Sequence, residues 1–307
     1  MTTVINRIEG IIPILSMPFL DDDAIDVDSL VAEAEFLVET GVDGVGFGYG
    51  SEIVRLTDAE RDAALVAVAG AIGGRVPIVA ATGANSTRAA LLRAEAARAA
   101  GADMLMITPP ALPAVTPDDL CIHYATIAEQ VRLPIIVQDA PGMTGVAMPA
   151  TLLGRLAEIE RVVAVKVEAM PPAPKVSAVV ACVGDAAGVL GGAGGVDFVH
   201  ELERGACGTI PGAALPEFFI AVWRHAQAGQ LAEARSTFNR FLPLLTLSAR
   251  TADTFLFTQK EILRRRGILP SARLRAPCEP LDPAFLREVE ALLGELGLAA
   301  LGRSWQP

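Results

Sequence analysis

Lysine is scarce in this chain, occurring only at Lys166, Lys175 and Lys260 in a sequence with 25 Lys plus Arg. Nearly every basic side chain is therefore arginine, and the net charge is −11. An acidic chain without a basic stripe or interleaved aromatic and basic residues excludes a phosphate-backbone partner, so no nucleic acid is expected. Cysteine is rare as well. Cys121, Cys182, Cys207 and Cys278 lie far apart without CxxC spacing, which excludes a disulfide framework and suits small buried fillers in a reducing compartment. His123, His200 and His225 form no ligand pair, so no protein-built metal site is expected. No stretch approaches the ~20 apolar residues of a membrane span. The apolar run 11–20 contains Pro13 and Pro18 and ends in Asp21-Asp22-Asp23, unlike a secretory signal. A GxGxxG after the first strand and a P-loop are also missing, which argues against a nucleotide fold. The composition, 52% hydrophobic, predicts a soluble, cytoplasmic, well-buried protein with no membrane partner.

What is present is a regular alternation. Short β-branched or apolar runs predict strands at 11–18, 42–47, 76–81, 102–108, 133–139, 161–169, 188–191 and 208–211. Helical segments lie between them. Asp26 or Asp28 is placed to cap a helix over 29–40 that Gly41 ends, and Thr57 with Glu60 makes a capping box for the next. Eight β/α units predict an α/β protein, a (β/α)8 TIM barrel over residues 1–225. From residue 226 the pattern is helical only, over 231–241, 244–266 and 283–293, and predicts a C-terminal helical extension over 226–307.

The strand 161–169 organises the chemistry. Residues two apart share a strand face, so Val163, Val165 and Val167 fall on one side and Val162, Ala164, Lys166 and Glu168 on the other. An amine in an apolar setting is favoured in its neutral form, which is nucleophilic toward a carbonyl. A lysine at a strand end also serves as a snorkelling ion-pair partner for a nearby carboxylate. Usage separates the two readings. A chain that writes arginine almost everywhere has kept lysine at 166, where an amine able to lose its proton is useful. Lys175 falls in a proline-rich loop and Lys260 on a polar helix. Lys166 is the expected nucleophile.

Barrel enzymes work from the loops after the strand C-termini. Polar residues fall there: Gly48-Tyr49-Gly50-Ser51-Glu52 after the second strand, Thr82 after the third, Thr108 after the fourth, Gln138 and Asp139 ending the fifth, Lys166 and Glu168 ending the sixth. The glycine-rich turn offers backbone amides to an anion, with Ser51 as an added donor, although such turns also serve tight geometry alone. Gly50 and Ser51 are substrate-binding candidates, with Ile210 in the eighth strand. Asp139 reads as a capping or loop residue. Glu168, two residues along from Lys166, is the candidate base, its proton affinity raised by burial. Gln138 cannot titrate and is assigned the orienting of a hydroxyl or water.

In this order the residues resemble the dihydrodipicolinate synthase / N-acetylneuraminate lyase family of Schiff-base aldolases and lyases. The likeness rests on Ile12-Pro13-Ile14, Pro18-Phe19 with its acidic turn, Gly48 to Glu52 before Leu56-Thr57, Thr82 to Thr87, and Thr108-Pro109. It continues through Val137-Gln138-Asp139-Ala140-Pro141, Val165-Lys166 and Gly205-Ala206-Cys207-Gly208. The resemblance implies a barrel with C-terminal helices, a homotetramer, a small 2-keto acid substrate, and an imine on Lys166 in place of any cofactor. Departures are informative. Gln138 stands where most members carry tyrosine, and Met143 where dihydrodipicolinate synthase has an arginine for a second carboxylate. Gln138, Ser51-Glu52 and Lys166-Val167-Glu168 are similar to L-2-keto-3-deoxyarabonate dehydratase, although that enzyme's acidic stretch near strand seven is here Gly191-Gly192-Ala193-Gly194-Gly195. Three readings follow: a dehydratase of a 2-keto-3-deoxy sugar acid, a pyruvate-dependent class I aldolase, or a non-catalytic keto-acid sensor.

Overall fold

Among the described residues, eight parallel strands curl into a ring in chain order. They are β1 (Gly10–Ile11), β2 (Val45–Phe47), β3 (Ile78–Ala81), β4 (Met104–Ile107), β5 (Ile135–Asp139), β6 (Val162–Val167), β7 (Gly188–Leu190) and β8 (Gly208–Thr209). The computed structural model describes residues 8–298 apart from 113, together with Trp305 and Pro307. Strands β2 to β7 form one sheet in sequential order, and β1 pairs β8. Isolated bridges Ile14↔Gly46 and Gly191↔Thr209 join the two sets and close an α/β barrel. Strand alternation sends Ile12, Val79, Met104, Met106, Ile136, Leu190 and Ile210 into the barrel. It sends Val45, Phe47, Ile78, Ala80, Leu105, Ile107, Val137 and Val165 out against the helices.

The alternation expected for 161–169 holds only in part. Ile135 pairs Val162 while Ile136 pairs Ala164, so one extra residue is inserted at Val163. That bulge turns Val163 into the barrel and leaves Val162 outside, then restores the phase for Ala164 and Lys166.

The helices follow their caps. Helix α1 (Val27–Thr40) starts at Asp26 and stops at Gly41, which is left-handed with φ +87°. The Thr57–Glu60 capping box opens α2 (Asp58–Ile72) as expected. Next come α3 (Thr87–Ala99), α4 (Pro117–Val131), α5 (Pro141–Thr144), α6 (Ala150–Ala157), α7 (Pro172–Val183), α8 (Phe198–Leu202) and α9 (Pro216–Gln227). The described residues then carry α10 (Leu231–Ser248), α11 (Ala252–Arg265) and α12 (Pro283–Glu295). The break expected near Pro243 does not occur; α10 runs through it. The chain breaks instead before Thr251, whose hydroxyl accepts the Thr254 amide and starts α11.

Closure depends on close backbone approach. A Cβ on Gly208 (φ +151°) would lie 2.1 Å from the Gly10 carbonyl oxygen, an atom fixed by the β1–β8 register. Gly208→Ala is expected to open this seam and cost about 3 kcal/mol, measured as a lowered urea midpoint. An unchanged midpoint would mean that β1 and β8 close the ring by another contact.

Candidate active site

The ladder between β5 and β6 pairs Gln138 with Lys166, which sets both side chains side by side inside the barrel. Both are buried, at 1% and 4% exposure. Glu168 follows the strand end, and the Lys166 Nζ lies 3.0 Å from its Oε1. Gln138 Nε2 donates to Glu168 Oε2 at 2.6 Å, and the Ala193 amide donates to Oε1 at 3.0 Å. The structure therefore gathers Lys166, Glu168 and Gln138 into one cluster. The Gln138 Oε1 is buried with no partner among the described residues, an open acceptor beside the lysine.

These contacts reverse one expectation. Burial does push the Glu168 carboxyl up, but the Lys166 charge, the Gln138 amide and the Ala193 amide outweigh it and hold Glu168 below the usual carboxylate range. In this arrangement Glu168 is an anion at neutral pH.

Ala193 belongs to the glycine-rich stretch after β7, and its approach requires bare backbone. A Cβ on Gly192 would lie 2.5 Å from Glu168 Cγ and 2.8 Å from Lys166 Cε. Ile210, just past β8, is buried in the inner core, and its amide donates to the Gly191 carbonyl.

The turn after β2 differs from expectation at Ser51. Its hydroxyl donates to the Leu15 carbonyl at 2.5 Å and accepts the Gly48 amide, and the residue is fully buried. Ser51 thus braces the turn from behind, and Gly50 alone of the pair retains a bare backbone face, set beside Ile14 and Phe255. Tyr49 is half-buried there. Burial raises its phenol above the usual value, while a hydrogen bond with the Thr108 side chain draws it back.

Asp139, read as a loop residue, is fully buried on the outward side of β5 and lies 3.4 Å from Lys175, which sits on α7. Lys260, read as belonging to a polar helix, is fully buried and ion-paired with Glu52. Arg55 joins Glu52 to Asp253, and the Arg275 amide donates to Glu52 at 3.1 Å. This network straps α11 to the turn after β2, while Gln259 of the same helix accepts the Ala214 amide after β8. Nothing local in the sequence signals it, since Lys260 and Glu52 stand 208 positions apart. Among the described residues no group of His, Cys, Asp and Glu could hold a metal ion, and no helix is long and apolar enough to cross a membrane.

The parallel barrel brings a lysine, a carboxylate and an amide together at its strand C-termini, the end at which barrel enzymes carry their sites. Residues 7–296 match the model of the dihydrodipicolinate synthetase family, and the chain belongs to that family. It is 30% identical over 296 residues to L-2-keto-3-deoxyarabonate dehydratase of Azospirillum brasilense, covering 94% of this chain and 95% of that one. It is 34% identical over 289 residues to 4-hydroxy-tetrahydrodipicolinate synthase of Kineococcus radiotolerans, covering 92% and 91%. Among solved structures, dihydrodipicolinate synthase from Acinetobacter baumannii complexed with pyruvate superposes with a TM-score of 0.86 at 27% identity, covering 94% of this chain and 99% of that one.

Two outcomes test this geometry. Gly192→Ala should displace Glu168 and lower kcat by about 10²-fold with the thermal midpoint little changed. Activity close to that of the parent chain would mean that Gly192 does not set the Glu168 position. Lys260→Met removes one of the two cations on the buried Glu52, leaving Arg55 and the Arg275 amide, and should cost about 3 kcal/mol in urea unfolding. A loss below ~1 kcal/mol, the range of exposed ion pairs, would mean that the strap is solvated.

Proposed function

We propose that this chain is a Schiff-base-forming lyase acting on a 2-keto-3-deoxy sugar acid, and that it removes water from it. The carrying observation is the cluster in which Glu168 touches both Lys166 and Gln138, with no phenol on β5. The likeness to L-2-keto-3-deoxyarabonate dehydratase supports the same reading.

The steps follow from these contacts. Lys166 passes a proton to Glu168 and adds through its amine to the C2 carbonyl. Glu168 returns that proton to the carbinolamine hydroxyl, which leaves as water; a cationic imine forms, Glu168 is a carboxylate again, and no cofactor is needed. The cationic nitrogen then acidifies the C3 proton, which Glu168 accepts. The C3 electron pair forms a C3–C4 double bond as the C4 hydroxyl departs, taking the proton back from Glu168 and leaving as water; water then hydrolyses the imine, freeing Lys166, and the unsaturated hydroxy keto acid isomerises to the semialdehyde. The buried Gln138 Oε1 accepts a hydrogen bond from that hydroxyl. The Gly50 turn offers amides to the C1 carboxylate, and Ile210 forms the apolar floor. Residues 1–225 act as the catalytic barrel and 226–307 as its helical extension, with a homotetramer in the cytoplasm as the working form.

The similarity to 4-hydroxy-tetrahydrodipicolinate synthase, together with the pyruvate complex of a related structure, favours a second reading as a class I aldolase. Borohydride with pyruvate should add mass to the peptide containing Lys166, and Lys166→Ala should abolish both adduct and activity. In Glu168→Gln, trapping should persist while kcat falls by about 10²–10⁴. A 2-keto-3-deoxy acid panel then separates the readings: a semialdehyde product supports the dehydratase, whereas pyruvate with an aldehyde overturns it in favour of the aldolase.

A further inference from the structure

Glu201 is a buried acid that the steps above do not use. Glu201 on α8 is fully buried, and neither carboxyl oxygen has a hydrogen-bond partner among the described residues. Its carboxyl packs against the Cα of Gly191, where a Cβ would lie 1.9 Å from Oε2. Gly191 continues β7, bonded to β8 through the Gly208 carbonyl and the Ile210 amide. The next residue, Gly192, lies against Lys166 and Glu168 on the barrel side, and the one after, Ala193, donates its amide to Glu168. Three consecutive residues thus separate Glu201 behind from the reacting pair in front.

We propose that Glu201 is a positioning residue for this site: as a neutral acid it backs the 191–193 segment that holds Glu168, and its ionisation sets the alkaline limit of the reaction. A carboxylate without donors is costly to charge in a dry interior, and burial pushes this one up to about 8. The charged groups acting on it are Asp197 at the start of its own helix, and Glu168 and Lys166 across β7. Asp197 and Glu168 oppose its ionisation and Lys166 favours it. His200 is exposed, and Glu203 is turned away to Arg235. Thr209, on the bridge partner of Gly191, adds a buried hydroxyl but no charge. Once ionised, Glu201 repels the Glu168 carboxylate from behind and seeks a donor in its surroundings, both of which disturb the contact that Ala193 makes.

The proposal rests on the lyase reading, and the test separates the two. Pyruvate trapping on Lys166 and kcat/KM are followed from pH 6 to 10 in the parent chain, Glu201→Gln and Glu201→Met. In the parent both fall on the alkaline side with a midpoint near 8. Glutamine keeps the neutral shape, so its neutral-pH rate stays within about threefold, and its alkaline limit rises by roughly one pH unit or more. Methionine, a second uncharged side chain of similar length, should show the same raised limit even at a lower rate. An alkaline limit identical in the parent and in whichever neutral variant folds overturns this role for Glu201 and leaves the lyase reading standing. Trapping absent from the parent at every pH overturns the lyase reading, and this proposal with it.

Discussion

The Glu168 carboxylate is the constraint on which the catalytic end of the molecule depends. A charge this deep in a barrel is stable only with its oxygens engaged, and three donors from three elements converge on it. Lys166 comes from its own strand, Gln138 from the neighbouring strand, and the Ala193 amide from the turn after β7. The arrangement fixes Lys166 as well, since the same contact that stabilises the anion orients the amine. Desolvation alone favours the neutral acid; with these donors the carboxyl stays charged.

Bare backbone makes that convergence possible. Gly192 admits Lys166 and Glu168 on its inner side, and Gly191 admits Glu201 on its outer side. Side chains at these positions would push the turn away from β6, and the Ala193 amide would lose its reach. The glycine-rich stretch is therefore a mould for two acids of opposite habit. Glu168 lies among donors that favour its charge, whereas no donor reaches the Glu201 oxygens among the described residues and burial pushes its carboxyl up to about 8.

A second buried ionic network serves the same end from a distance. Glu52, Arg55, Asp253 and Lys260 bind α11 across the turn after β2, and Ser51 ties that turn to the Leu15 carbonyl. Gly50 is thereby held in place by buried residues behind the turn. Burial pushes the nearby Glu33 carboxyl up to about 8, against the pull of the Ser16 amide and Lys260. The helices after α9 are thus coupled to the catalytic end by charge as well as by packing.

The sequence by itself determined the alternation of strands and helices, the caps at Asp26 and Thr57, and the pairing of Lys166 with Glu168 at one strand end. These follow from periodicity and from contacts within a few residues, which a linear chain displays directly. Tertiary structure decided the rest. The bulge at Val163 depends on the register against β5, and closure at Gly208 depends on the approach of Gly10, nearly the whole barrel away. The inward turn of the Ser51 hydroxyl, the burial of Lys260 and the isolation of Glu201 each join segments remote in sequence. Whether a buried carboxyl is charged depends on how many donors reach it, and two of the three that reach Glu168, Gln138 and the Ala193 amide, come from other elements of the fold.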